Sequence, residues 1–155
     1  MLSCNNEKSQ NKIDSTLKEK KKIKKSDYKK TNIINDDQIN LDFFKSIPDT
    51  LDGCLYTFNY DSISLPDKHI LLSNGSNISI IKINNKEIYL NKDTINTKQI
   101  SNSLYKEVYF NNEYKLILNI KELNSIDETS LYKGTLEISN KRFKKRYKIK
   151  GEGGC

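Results

Sequence analysis

Three cysteines, one histidine and a run of alternating cations are the residues of this 155-residue chain whose types and spacing bear on chemistry. Cys54 and Cys155 bracket the part of the sequence that is rich in apolar alternation, and each follows a glycine, Gly53 or Gly154, which gives the backbone room at both points. Joined, they would close a loop of about a hundred residues, a constraint worth on the order of 4 to 5 kcal/mol in the chain-entropy account. The other reading is two free thiols in a reducing compartment. Cys4 is left over as an odd cysteine.

The run of cations is Lys141 to Lys150. Strand alternation places Arg142, Lys144, Arg146, Lys148 and Lys150 on one face, and Phe143, Tyr147 and Ile149 with Lys145 on the other. Lys144, Arg146, Lys148 and Lys150 would make an anion-binding face for an acidic glycan or an acidic protein. The plainer reading, which weighs more on sequence alone, is a solvated strand face whose lysines discourage edge pairing.

Other chemistry finds little support. One histidine and widely separated cysteines do not match the usual zinc spacings, and Asp36-Asp37 and Asp127-Glu128 lack the ligand pattern of a calcium loop. A Ser-His-acid or Cys-His-acid site would have to use His69, and no glycine-flanked serine resembles a nucleophile elbow. Asp49, Asp52 and Asp61 could supply paired carboxylates, but no spacing selects two of them. Gly151, Gly153 and Gly154 follow the last strand and open no helix, so they are not a phosphate loop. No catalytic residue, metal or cofactor is expected.

The elements that must position these residues are mostly strands. Gln38 to Ile47 reads as one short helix: Asp36 or Asp37 can cap it, Ile39, Phe43 and Ile47 share a face, and Pro48 stops it. Strand patterns follow at Leu55–Tyr60, His69–Ser73, Asn77–Ile83, Glu87–Asn91, Ser103–Phe110, Tyr114–Leu123, Leu131–Ser139 and Phe143–Lys150. The turns fall at Asn74-Gly75, Asn84-Asn85, Asn111-Asn112 and Asn140-Lys141. Ile78 and Ile80 are followed by Ile81 and Ile83, a slip of phase that implies a bulge or burial on both faces; Gly134 is another candidate bulge. The fold class is mainly β: an antiparallel β-sandwich or small β-barrel of about eight strands with one short N-terminal helix.

Composition divides the chain in two. Charged residues are 30% of it and the mean hydropathy is −0.75, with no run of apolar residues long enough to span a membrane as a helix. The formal charge is +7, but residues 1–30 hold ten lysines against Glu7, Asp14, Glu19 and Asp27, so the rest of the chain carries about +1. A basic tail and one basic strand argue against a nucleic-acid partner more than for one. Residues 1–35 read as a lipoprotein-type N-terminus and a disordered basic linker, and 36–155 as a single β-rich domain. Met1-Leu2-Ser3-Cys4 resembles the end of a bacterial lipoprotein signal, in which small residues precede the acylated cysteine, so Cys4 is the expected lipidation site. Acylation there also needs an apolar leader, which Met1 to Ser3 is too short to supply.

Phe43-Phe44-x-x-Ile47-Pro48, Asp52-Gly53-Cys54, Ile83-Asn84-Asn85-Lys86 and Gly151-Glu152-Gly153-Gly154-Cys155 resemble small uncharacterised lipoproteins of the Bacteroidetes, especially flavobacteria. The likeness covers about Leu41 to Cys155. Those chains often carry paired cysteines at both sites; Tyr56 and Gly153 stand here where the second of each pair would be, so the resemblance implies one bridge kept and one lost. It implies no activity. The expectation is a lipid-anchored β-domain of the cell envelope, on the periplasmic or surface side of the outer membrane. It would act as a binding module and not as an enzyme. The alternatives are a periplasmic inhibitor of a wall-degrading enzyme, similar to small lysozyme inhibitors, and a hydrolase using the loop acids.

Overall fold

The computed structural model describes residues 40–65 and 67–155, all within the part of the chain that begins at Ile33. Cys4, the linker and the capping residues of the expected helix lie outside them. The described residues form nine strands: β1 (Leu55–Tyr60), β2 (Leu71–Ser73), β3 (Ile78–Ile83), β4 (Lys86–Lys92), β5 (Lys98–Ser101), β6 (Leu104–Phe110), β7 (Lys115–Ile126), β8 (Thr129–Ser139) and β9 (Lys144–Gly154). They lie in the order β4-β3-β2-β1-β9-β8-β7-β6-β5, every pair antiparallel. Asn91 and Lys92 of β4 pair with Phe110 and Tyr109 of β6, which closes β4, β3, β2, β1, β9, β8, β7 and β6 into a ring. The fold is therefore a closed antiparallel eight-stranded barrel and not a sandwich. The short β5, not legible in the sequence pattern, adds to β6 outside the ring.

Asparagine sets most of the turns. Asn84 and Asn85 both adopt left-handed backbone, with φ of 51° and 59°, as a two-residue hairpin turn matched to strand twist requires. At Asn111 and Asn140 the side-chain carbonyl accepts the N–H groups two and three residues on, folding four-residue loops between β6 and β7 and between β8 and β9. Inward positions then alternate into one core of Phe58, Leu71, Ile81, Ile83, Ile88, Leu90, Tyr109, Leu116, Leu118, Ile120, Leu136, Ile138 and Ile149. The phase slip in β3 is burial on both faces: Ile81 and Ile83 point into the barrel, while Ile80 packs outside against Phe44 and Leu72. Gly134 is no bulge but pairs regularly with Ile120; the β7–β8 irregularity falls between Glu122 and Asn124.

No helix forms between residues 40 and 47. The Asp42 N–H donates to the Lys82 carbonyl at 2.8 Å, and Phe44 N–H to His69 O at 2.8 Å, so the backbone bonds to strand ends instead of to itself. Its apolar side chains also part: Leu41 enters the barrel core, and Phe44 covers the outer face of β2 and β3. One helical stripe could not serve both surfaces. Leu41 is pinned by Tyr60, whose hydroxyl meets its N–H and its carbonyl at 3.1 Å each. This end of the barrel is closed by Leu41 and by Phe43 edge-on to Tyr60.

The last strand runs on to Gly154, so the terminal glycines are strand residues and not a tail. Tyr56 lies directly opposite Gly153, and Phe58 opposite Gly151. A Cβ at Gly153 would collide with the Tyr56 ring, and one at Gly151 with the Phe58 ring and the Thr57 carbonyl. The glycines are seats for the two aromatic rings of β1. Beyond them Cys54 and Cys155 are joined in a disulfide across 101 residues of sequence. Gly153→Ala should therefore destabilise the barrel by about 1–3 kcal/mol through overpacking against Tyr56, measured by urea unfolding with the disulfide intact. A variant as stable as the parent would mean that the ring has room to move.

Candidate functional site

Strand register gathers on one wall residues that are far apart in sequence. Lys98 of β5 lies opposite Lys106 of β6, Lys121 of β7 opposite Lys133 of β8, and Lys133 opposite Lys150 of β9. Paired residues point to the same side of a sheet, so Lys121, Lys133 and Lys150 form a row across three neighbouring strands, roughly 5 Å apart from strand to strand. Lys148 continues the β9 edge, opposite Thr135. The cations of this outer wall far outnumber the carboxylates that its paired strand positions carry, Glu137 and Glu152.

The expected anion-binding residues thus divide. Lys144 and Arg146 converge on Glu137, with Nζ to Oε1 at 2.8 Å and the guanidinium on Oε2 at 2.7 and 3.2 Å. Glu137 is buried, and the Lys144 ammonium and Arg146 guanidinium beside it hold its carboxyl below the usual carboxylate range. Lys148 and Lys150 form no ion pair among the described residues and belong to the lysine row instead. Lys133 has Asp61 at 3.3 Å, with the lysine exposed and the carboxylate half-buried. Lys145 and Tyr147 face the other way as alternation requires: Lys145 Nζ sits 5.6 Å from the centre of the Tyr147 ring, which packs on the core. Burial raises the Tyr147 hydroxyl above its ordinary value, and Tyr60 nearby adds to that.

Beside the lysine row lies a groove of about 400 Å3 between the outer face of β1, β9 and β8 and the loop that follows β1. Its floor is Thr57 and Asn59, both buried, and Lys150 and Glu152 border it on β9. Asn59 is occupied, donating to the Leu65 carbonyl at 3.2 Å and accepting from the Tyr60 N–H at 2.8 Å. The Thr57 hydroxyl has no hydrogen-bond partner among the described residues. Three leucines stand round the groove well exposed: Leu65 at 57%, Leu123 at 58% and Leu131 at 43%. His69 also lines it.

The polar groups inside the other end of the barrel are bonded to one another. Lys92 donates to Glu107 at 3.1 Å and to the Gly75 carbonyl at 2.6 Å, and the Tyr109 hydroxyl donates to Glu107 at 2.9 Å. Tyr105 and Ser130 both donate to Glu122, at 3.2 and 2.6 Å. Among the described residues no fully enclosed side-chain polar atom lacks a partner; the Thr57 hydroxyl opens into the groove. Burial, with Glu107 beside it, raises the Tyr109 hydroxyl far above its ordinary value and keeps it a neutral donor. This network holds the fold's interior; it left no mark in the sequence pattern because its members come from β4, β6, β7 and β8.

The loop acids do not assemble. Asp49 and Asp52 are exposed, Asp61 is engaged with Lys133, and among the described residues no group of three His, Cys, Asp or Glu side chains could hold a metal ion. The site and fold together define a small closed barrel with a cationic outer wall. Comparison with known proteins gives no match to any family model, curated protein or solved structure.

Glu137 offers a measurable test of the wall's electrostatics. Its folded-state affinity for protons is lowered, so the stabilisation is complete above the unfolded carboxylate value near pH 4.3 and is lost as pH falls through the lower folded value. Glu137→Gln should cost about 1–3 kcal/mol at neutral pH, because Lys144 and Arg146 lose their shared acceptor. It should also flatten the fall in stability below about pH 4.5. Parallel urea unfolding of parent and variant between neutral and acid pH reads both; identical slopes would remove Glu137 as the titrating group.

Proposed function

We propose that this barrel is a binding module that docks a polyanionic surface through its lysine wall, held at the cell envelope by a lipid on Cys4. The carrying observation is the run of directly opposed lysines, Lys98 with Lys106 and Lys121 with Lys133 and Lys150. Like charges facing each other across strands weaken a sheet. The wall has few carboxylates of its own, and the most buried, Glu137, is already taken by Lys144 and Arg146. An anionic surface laid across the wall relieves the repulsion and gains from every lysine at once. The disulfide fits an oxidising compartment, and the pattern Met1 to Cys4 fits an acylated N-terminus. Partners suited to that setting carry repeated phosphate or carboxylate groups. The reading calls for no catalysis.

Full-length parent protein should bind anionic surfaces with an affinity that falls steeply as salt rises, because exposed charges are screened beyond roughly 8 Å at physiological ionic strength. The triple variant Lys121→Gln, Lys133→Gln, Lys150→Gln should bind at least roughly tenfold more weakly at low salt, with the basic tail unchanged in both proteins. Equal binding across the same salt series would reduce the wall to a solvated face. For the anchor, Cys4→Ser should shift the protein from the membrane to the soluble fraction of cells, since stable attachment needs more than one acyl chain. Fractionation that ignores the substitution would strike the lipid from this reading.

A further inference from the structure

Resting on the docking reading above, we infer that the polyanionic surface is an anionic lipid membrane, and that the leucine-rimmed groove is where the barrel enters it. A purely polyanionic polymer needs only the lysines. It gives no reason for Leu65, Leu123 and Leu131 to stand exposed round one groove at the end of the lysine row. Leu131 stands two residues before Lys133 on the same face of β8, and Lys150 belongs to both row and groove. Exposed aliphatic side chains bordered by lysines match the boundary between acyl chains and anionic head groups, where apolar area and cationic charge gain together. Leu123 projects where β7 and β8 slip register, the residue without a partner between Glu122 and Asn124. At the groove floor the unused Thr57 hydroxyl can donate to an ester or phosphate oxygen. Glu152 and Asp61 are the carboxylates nearby; Asp61 is paired with Lys133, and Lys121 and Lys150 remain for head groups.

The chain has no tryptophan, so a single introduced one reports its own surroundings. Leu123→Trp in the full chain should show a blue-shifted emission, and quenching by brominated acyl chains, when vesicles of phosphatidylcholine with phosphatidylglycerol are added. Tyr89→Trp, on exposed β4 at the opposite side of the ring, should show neither. Leu65→Ser, Leu123→Ser and Leu131→Ser together should weaken vesicle binding roughly tenfold or more while leaving binding to a soluble acidic polysaccharide unchanged. The inference is overturned if Leu123→Trp is silent, if Tyr89→Trp responds equally, or if the leucine variant binds vesicles as the parent does. It is also overturned, with the docking reading left standing, if the parent binds the polysaccharide but not the vesicles. A parent that binds neither overturns both.

Discussion

The barrel depends on the fit between β1 and β9. These are the first and last strands in sequence, and their pairing joins β1–β4 to β6–β9. Tyr56 and Phe58 lie across Gly153 and Gly151 with no space for a side chain between ring and backbone. The seam is thus specified by shape, since a slip of one residue would set the rings against Gly154 and Glu152, the latter with a long side chain in the way. The disulfide then holds the outer end of the same seam. The closing joint between β4 and β6, by contrast, spans two residue pairs. One edge of the ring is long and packed; the other is short.

Charge is distributed by a similar economy. The part of the chain after residue 30 is nearly neutral, yet strand register collects lysines of β7, β8 and β9 on one outer wall. Inside the barrel, Lys92 and Glu107 satisfy each other in a place where an unpaired ion would be costly. Outside, Glu137 is shared by two cations and the remaining lysines have little to balance them. The near-zero charge of that part therefore conceals a cationic wall, and the basic isoelectric point, dominated by the first thirty residues, says little about which face is basic.

Most of the fold was legible because alternation and asparagine turns are local signals. Eight of the nine strands, all but the short β5, could be read from residue types alone, and the glycine-preceded cysteines pointed to the bridge. Sandwich and barrel could not be told apart, because closure rests on two pairs between β4 and β6 that leave no mark in either strand. The spacing of Phe43 and Ile47 imitated a helix; His69 and Lys82, distant in sequence, supplied better partners for that backbone. The four outward-facing cations of β9, Lys144, Arg146, Lys148 and Lys150, were visible as a run, but their division was not. Glu137 claims two of them, and Lys121 and Lys133 enlarge the set only once register brings three strands together. The groove was invisible for the same reason: its leucines are at 65, 123 and 131.

The position of the disulfide also sets how the molecule bears mechanical load. Cys54 is where the chain enters β1, and Cys155 adjoins the end of β9, the strand that carries Lys148 and Lys150. Tension applied to the chain on the N-terminal side of Cys54 passes through the sulfur–sulfur bond into β9 directly. It need not shear the hydrogen bonds between β1 and β9 to get there. Pulling can peel away residues 40–53, with Leu41 and Phe44, but the ring from Cys54 onward is bypassed by a covalent shunt. A barrel tethered at one end of its chain and gripped along its cationic wall would yield first at the N-terminal segment that closes its end, and last at the strands.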